Sequence, residues 1–135
     1  MSPEAAYKGR PLVPGSARGR AVVVDAISFY GDVDPETGLL RDGRSIAGRI
    51  LAARRSRGST VGSYVIMALK YNSKAPAAII MERAEPIVVV GAYLAGVPLV
   101  DSLPRGLFES LRDGDEVVVE ADGTVRILRR PGAGG

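Results

Sequence analysis

Residues 54–66, RRSRGSTVGSYVI, set three arginines beside small polar residues that open an apolar, helix-like stretch. Gly and Ser are poor or mediocre helix formers, so Ser56, Gly58, Ser59, Thr60, Gly62 and Ser63 need a physical reason. Two are open. The hydroxyl of Ser59 or Thr60 can act as an N-cap, accepting a hydrogen bond from a peptide N–H of the first turn. Alternatively, glycine lets a ligand approach the backbone, and the N–H groups at a helix start attract an anion or a developing alkoxide. On that reading residues 57–63 form an anion site.

The rest of the composition narrows the chemistry. The 135 residues include no Cys and no His. This chain alone therefore has no disulfide, no thiolate nucleophile, no cysteine ligand for zinc or an iron–sulfur cluster, and no Ser-His-Asp triad. Catalysis falls to hydroxyls, carboxylates, amines, guanidinium groups or backbone dipoles, or to groups borrowed from a partner. Gln is absent and Asn72 is the single Asn, a shortage of thermolabile residues that suits a heat-loving source. With 46% hydrophobic and 24% charged residues, the chain reads as one globular domain spanning 1–135. No apolar run reaches the roughly 20 residues that cross a bilayer, and the N-terminus lacks an apolar signal core, so a cytoplasmic location is expected.

Charge is unevenly placed. Residues 41–57 hold six arginines against Asp42, a net of +5, whereas residues 109–122 hold six acids against Arg112, a net of −5. The basic segment suits a phosphorylated small molecule or an acidic partner. With aromatics at 5% of the chain and no strand- or groove-reading motif, nucleic acid is disfavoured. The acidic segment reads as a solvated surface.

Hydrophobic patterning outlines the elements that must position the 57–63 segment. Residues 1–10 read as a loose arm. Arg18–Ala26 is a strand, continued after a bend by Ser28–Tyr30, and GDVDPETG at 31–38 is a turn segment. Ser45–Ala53 reads as a second strand, with Gly48 marking close approach or a bulge. Val61–Tyr71 has the 3.6-residue apolar period of a helix. Pro76–Glu82 is a short buried strand. Pro86–Gly96 carries three valines but ends in Gly, and is assigned as a helix. Val97–Val100 is a strand, Pro104–Leu111 a short helix, and Glu116–Glu120 with Thr124–Leu128 a hairpin. The tail 131–135 is expected to be disordered. Strands at both ends with βαβ-like units between them give an α/β class.

Four stretches, FYGDVDPETG at 29–38, SIAGRIL at 45–51, RGSTVGSYV at 57–65 and PIVVVGAYLAGVPLVD at 86–101, together resemble the swivel domain of the aconitase X family, over roughly residues 15–128. The resemblance implies a swivelling β/β/α three-layer fold and a two-chain iron–sulfur hydro-lyase of archaeal type. A cysteine-containing large subunit would carry a 4Fe–4S cluster, and this chain would close over the substrate as the small subunit of a heterodimer. The implied substrate is a phosphorylated hydroxy acid, (R)-5-phosphomevalonate, dehydrated in a modified mevalonate route to isoprenoids. A cis-3-hydroxyproline dehydratase of the same family is the alternative within catalysis, and a non-catalytic binding or regulatory module the alternative outside it.

By the same resemblance Ser59, in Arg57-Gly58-Ser59-Thr60, is the base that removes a proton beside a carboxylate, and Arg57, Gly58 and Thr60 bind substrate. A serine hydroxyl is a very weak acid, so this role needs positive charge and directed donors nearby. One departure from the wider superfamily stands out. Aconitase proper follows the Gly–Ser pair with a second serine and then a substrate-binding arginine, where this sequence has Thr60 and Val61. That arginine's task would pass to Arg57 or to the large subunit. Ser63, one turn on, is expected to be small for packing.

Overall fold

The structure is a computed structural model, and it describes residues 4–57 and 61–128. The elements run β1 (Glu4–Lys8), β2 (Arg10–Val13), β3 (Ala17–Ile27), α1 (Phe29–Asp32), β4 (Ile50–Ser56), α2 (Gly62–Tyr71), β5 (Ala78–Met81), α3 (Pro86–Ala95), β6 (Leu99–Asp101), α4 (Arg105–Ser110), β7 (Glu116–Val119) and β8 (Thr124–Leu128). The strands lie in the order β1-β8-β7-β3-β4-β5-β6-β2.

The long strand β3 belongs to two sheets. Its first part, from Ala17 to Arg20, pairs antiparallel with β7. From Ala21 to Ile27 it pairs parallel with β4. Strands β4, β5 and β6 continue in parallel, and β2 closes that edge antiparallel to β6. The other sheet is an antiparallel meander through β7 and β8 to β1.

Side-chain alternation separates two cores. On β4, Leu51 and Ala53 face the helices while Ile50 and Ala52 face the antiparallel sheet, and on β5 Ile79 and Met81 alternate with Ala78 and Ile80 in the same way. Strands buried on both faces read as continuous apolar runs, as ILAA and AIIM do. The helix-side core adds Ile66 and Leu69 of α2 and Val88 and Ala92 of α3. The inter-sheet core adds Val117, Val119, Val125 and Ile127, with Leu107 and Phe108 of α4 closing its end. The result is antiparallel sheet, parallel sheet and helices in three layers, the swivelling β/β/α arrangement expected from the sequence.

Several expectations are corrected. The arm at 1–10 is not loose over its described part: β1 pairs Glu4 with Leu128 through Lys8 with Thr124, and β2 pairs Arg10 with Asp101. Gly9 is the joint between them. Its N–H donates to Gly123 O at 2.9 Å, and a Cβ on it would lie 2.6 Å from Asp101 O. Ser28–Tyr30 does not extend the strand. Ser28 caps α1, its Oγ accepting from Gly31 N while its own N–H donates to Asp32 Oδ2 at 2.9 Å, a reciprocal pattern that turns the chain. The strand expected at Ser45–Ala53 starts later, at Ile50, because Gly48 sits at φ +68° and Arg49 N bonds back to Ile46 O. Ile46 itself plugs the helix-side core. The tail at 131–135 lies outside the described residues.

Candidate active site

Because β3, β4, β5 and β6 are parallel, their carboxyl ends meet along one edge, the usual ligand side of an open α/β sheet. Asp25 near the end of β3, Arg54 to Arg57 at the end of β4, Glu82 to Glu85 after β5, and Asp101 at the end of β6 converge there. The Arg57 N–H donates to Ile27 O at 2.9 Å, which holds the exit of β4 against that of β3. The chain then enters the segment singled out by sequence. Gly58, Ser59 and Thr60 lie outside the described residues; Arg57 is exposed. Helix α2 has Val61 at its N-cap position, with no side-chain cap hydrogen bond. Ser63 is buried in the packing of α2 against α3: a Cβ on Gly91 would stand 3.0 Å from the Ser63 Cα. Ser63 is thus small for packing, as expected.

The six arginines of 41–57 do not form one surface. Arg44 is a structural tie, donating to Asp113 Oδ2 at 2.8 Å, Asp42 Oδ2 at 2.9 Å and Val23 O at 3.0 Å. The hydrogen bond from Arg44 holds the Asp42 carboxyl below its ordinary pKa. Arg49 opens β4 at the opposite edge. Arg54 pairs with Glu82 at 3.1 Å and with Asp25 at 3.5 Å, and Arg55 pairs with Asp25 at 3.1 Å. The acidic segment is likewise more than a solvated face: Asp113 meets Arg44, Glu116 meets Arg18, Glu120 meets Arg126 and Asp122 meets Lys8. Asp122, bonded first by the Thr124 backbone and hydroxyl and then by Lys8, is pulled down to about 2. The loop at 31–38 is turn architecture, with Asp34 Oδ1 accepting from Glu36 N and Gly38 at φ +73°.

Comparison with known proteins places this geometry in a family. The model of the aconitase X swivel domain matches residues 6–127. The chain belongs to the aconitase X swivel domain family. The phosphomevalonate dehydratase small subunit of Aeropyrum pernix is 62% identical over 122 residues, 90% of this chain and 92% of that protein. The corresponding small subunit of Thermococcus kodakarensis is 50% identical over 129 residues, 90% of this chain and 95% of that protein. Among solved structures, crystalline aconitase X from Thermococcus kodakaraensis in its holo form superposes with a TM-score of 0.84 at 47% identity, over 95% of this chain and all of that one.

In this aconitase X swivel domain one buried acid organises the site edge. Asp101 is 1% exposed. Its Oδ1 accepts from Arg10 Nε at 3.1 Å and Ser102 Oγ at 3.0 Å, and its Oδ2 accepts from Arg10 Nη2 at 3.3 Å and Ala84 N at 3.2 Å. Burial alone would raise its pKa, but the bonds from Arg10, Ala84 and Ser102 outweigh that and hold the carboxyl below its ordinary value. It thereby ties β2 and the β5–α3 loop to the end of β6. Glu85, at the N-cap of α3, accepts from Ser56 Oγ at 3.2 Å. Sequence reading missed Asp101, whose one signal is an acid ending the apolar run VPLV. It also passed over Arg83 and Arg105, which the fold brings to the same edge.

The outer face of the swivel domain's helical layer is unusually apolar. Tyr64, Met67 and Tyr71 of α2 and Val90, Tyr93 and Leu94 of α3 are exposed, Tyr71 by 89% and Tyr93 by 71%. Contiguous patches of this kind mark contact surfaces. No helix among the described residues is long and apolar enough to cross a membrane.

Proposed function

We propose that this chain is the small subunit of a two-chain hydro-lyase that dehydrates (R)-5-phosphomevalonate to trans-anhydromevalonate 5-phosphate and water. The observation that carries the reading is the 62% identity, over nine-tenths of the chain, to the phosphomevalonate dehydratase small subunit of Aeropyrum pernix. The three-layer fold supports it by setting Arg57, which directly precedes Gly58 in sequence, at the ligand edge of the parallel strands.

Ser59 is the base in this proposal. It takes the proton from the carbon beside the substrate carboxylate as the neighbouring carbon loses its hydroxyl. Arg57 supports the ionised hydroxyl electrostatically: it is exposed at the end of β4, and among the described residues no carboxylate pairs with it. Gly58 and Thr60 complete the substrate contact. This chain does not suit an iron–sulfur cluster, since it has no Cys and no His and, among the described residues, no three acidic side chains converge as a metal site. The 4Fe–4S cluster is therefore assigned to the large subunit. The work of this chain is proton transfer and substrate binding.

The large subunit needs a docking surface that leaves the strand edge open to shared substrate. The apolar face of α2 and α3 supplies one, and it begins within a turn of the 57–63 segment. Anaerobic co-purification with the large subunit, followed by assay with phosphomevalonate, tests the proposal. Loss of substrate with appearance of the anhydro product supports it; a stable pair inert toward phosphomevalonate overturns it.

A further inference from the structure

We infer that the cleft between the ends of β4 and β5 and the start of α4 is the phosphate subsite of the substrate, gripped by Arg83 and Arg105. This rests on the proposed reaction for the identity of the ligand, but its grounds are separate. The cleft is about 130 Å³ and is lined by Arg54, Arg55, Glu82, Arg83 and Arg105. Four guanidinium groups face two carboxylates there, counting Asp25, which sits between Arg54 and Arg55. Arg54 and Arg55 are spoken for by Glu82 and Asp25. Arg83 and Arg105 have no ion-pair partner among the described residues. The site thus carries two uncompensated positive charges, matching a phosphate monoester, which bears about −1.5 to −2 at neutral pH.

Chemistry and framework agree with the charge count. Arginine presents a planar fork of donors that fits phosphate oxygens bidentately and does not deprotonate at working pH. The backbone that carries Arg83 is fixed on both sides: Glu82 N and Arg83 N both donate to Arg54 O, and Ala84 N donates to buried Asp101. Ser102 N donates in turn to Glu82 O, tying the approach to α4 to the same loop. The anchor point of the Arg83 side chain is thereby set, while Arg83 and Arg105 both stay exposed to an incoming anion. Arg55 lines the cleft and stands four residues before Ser59; four residues of chain span at most about 14 Å. That span sets the upper limit on the distance between Arg55 and the proposed base.

The test uses the reconstituted two-subunit complex with Arg83→Gln, Arg105→Gln and the double variant, alongside titration with inorganic phosphate followed by 31P line broadening. Expected are a KM for phosphomevalonate raised about tenfold or more per arginine, kcat within a few-fold of wild type, weakened phosphate binding, and partial recovery with Arg83→Lys. Subunit association, measured by sedimentation, stays unchanged. An unchanged KM, or weakened association with KM restored at saturating large subunit, overturns the assignment and makes these arginines interface contacts. If the wild-type complex proves inert toward phosphomevalonate, the proposed reaction fails, and the phosphate titration still decides the cleft: affinity unaffected by Arg83→Gln overturns it.

Discussion

Gly91 of α3 packs against Ser63 of α2 so closely that a Cβ on the glycine would lie 3.0 Å from the serine Cα and 2.9 Å from Ile66 Cδ1. This contact fixes how α2 lies on the layer, and with it where the segment leading out of β4 must arrive. The neighbouring atoms are backbone and core, which cannot step aside cheaply. Gly91→Ala is expected to destabilise the chain by about 1–3 kcal/mol through overpacking, seen as a lower Tm, and to lower the turnover of the assembled enzyme. Unchanged Tm and turnover would show that the helix pair has slack.

Asp101 gives a pH signature. Its pKa in the folded chain is below the ordinary value, so the native state binds fewer protons there than the unfolded chain. The stability it contributes is full above the unfolded pKa of about 3.9 and is lost as pH falls through the folded value. Asp101→Asn should cost about 1–3 kcal/mol near neutral pH, with the gap to wild type closing as pH drops from about 5 toward 2. Denaturant unfolding at several pH values measures this. A gap independent of pH would mean that the carboxylate charge contributes nothing.

Gly9 and Gly123 join the two sheets beside Asp101. Gly123 sits at φ +93°, and a Cβ on it would strike Gly9 O. Gly123→Ala should therefore destabilise by more than the roughly 1 kcal/mol of an ordinary Gly position, whereas Gly43→Ala, at φ +92° but with open space around it, should cost less. Thermal melts of the two variants decide the order.

The apolar helical face separates folding from assembly. Tyr64→Glu and Leu94→Glu replace exposed side chains, so the fold should tolerate them within about 0.5 kcal/mol. Affinity for the large subunit should fall about tenfold or more, as expected for central apolar contacts. Wild-type affinity in both variants would move the docking surface elsewhere, and loss of self-association alone would assign the face to a second copy of this chain.

Much of this molecule was legible from local pattern. The runs ILAA and AIIM declare strands buried on both faces, and Pro86 with Gly96 decides for helix α3 over its three valines, since Pro opens the helix and Gly96 takes φ +70° at its end. What local pattern could not carry is pairing across the chain. Residues 4–8 look featureless because their partners, 124–128, lie more than a hundred positions away. Arg41 to Arg57 read as one basic patch, yet a strand runs through them and sends Arg49 and Arg55 to opposite edges, while Arg44 is consumed by Asp42 and Asp113. Arg83 and Arg105 are separated in sequence and meet only because β5 and β6 are parallel neighbours. The roles of Gly58, Ser59 and Thr60 rest on the resemblance in sequence, since they lie outside the described residues.

The measurement that bears most directly on the proposed mechanism is single-turnover dehydration of phosphomevalonate by the assembled complex carrying Ser59→Ala. The rate should fall by about 10²–10⁴, the usual contribution of a positioned base, while circular dichroism, subunit affinity and KM stay near wild type. A complex that assembles normally and still turns over at close to the wild-type rate would remove Ser59 from the chemistry.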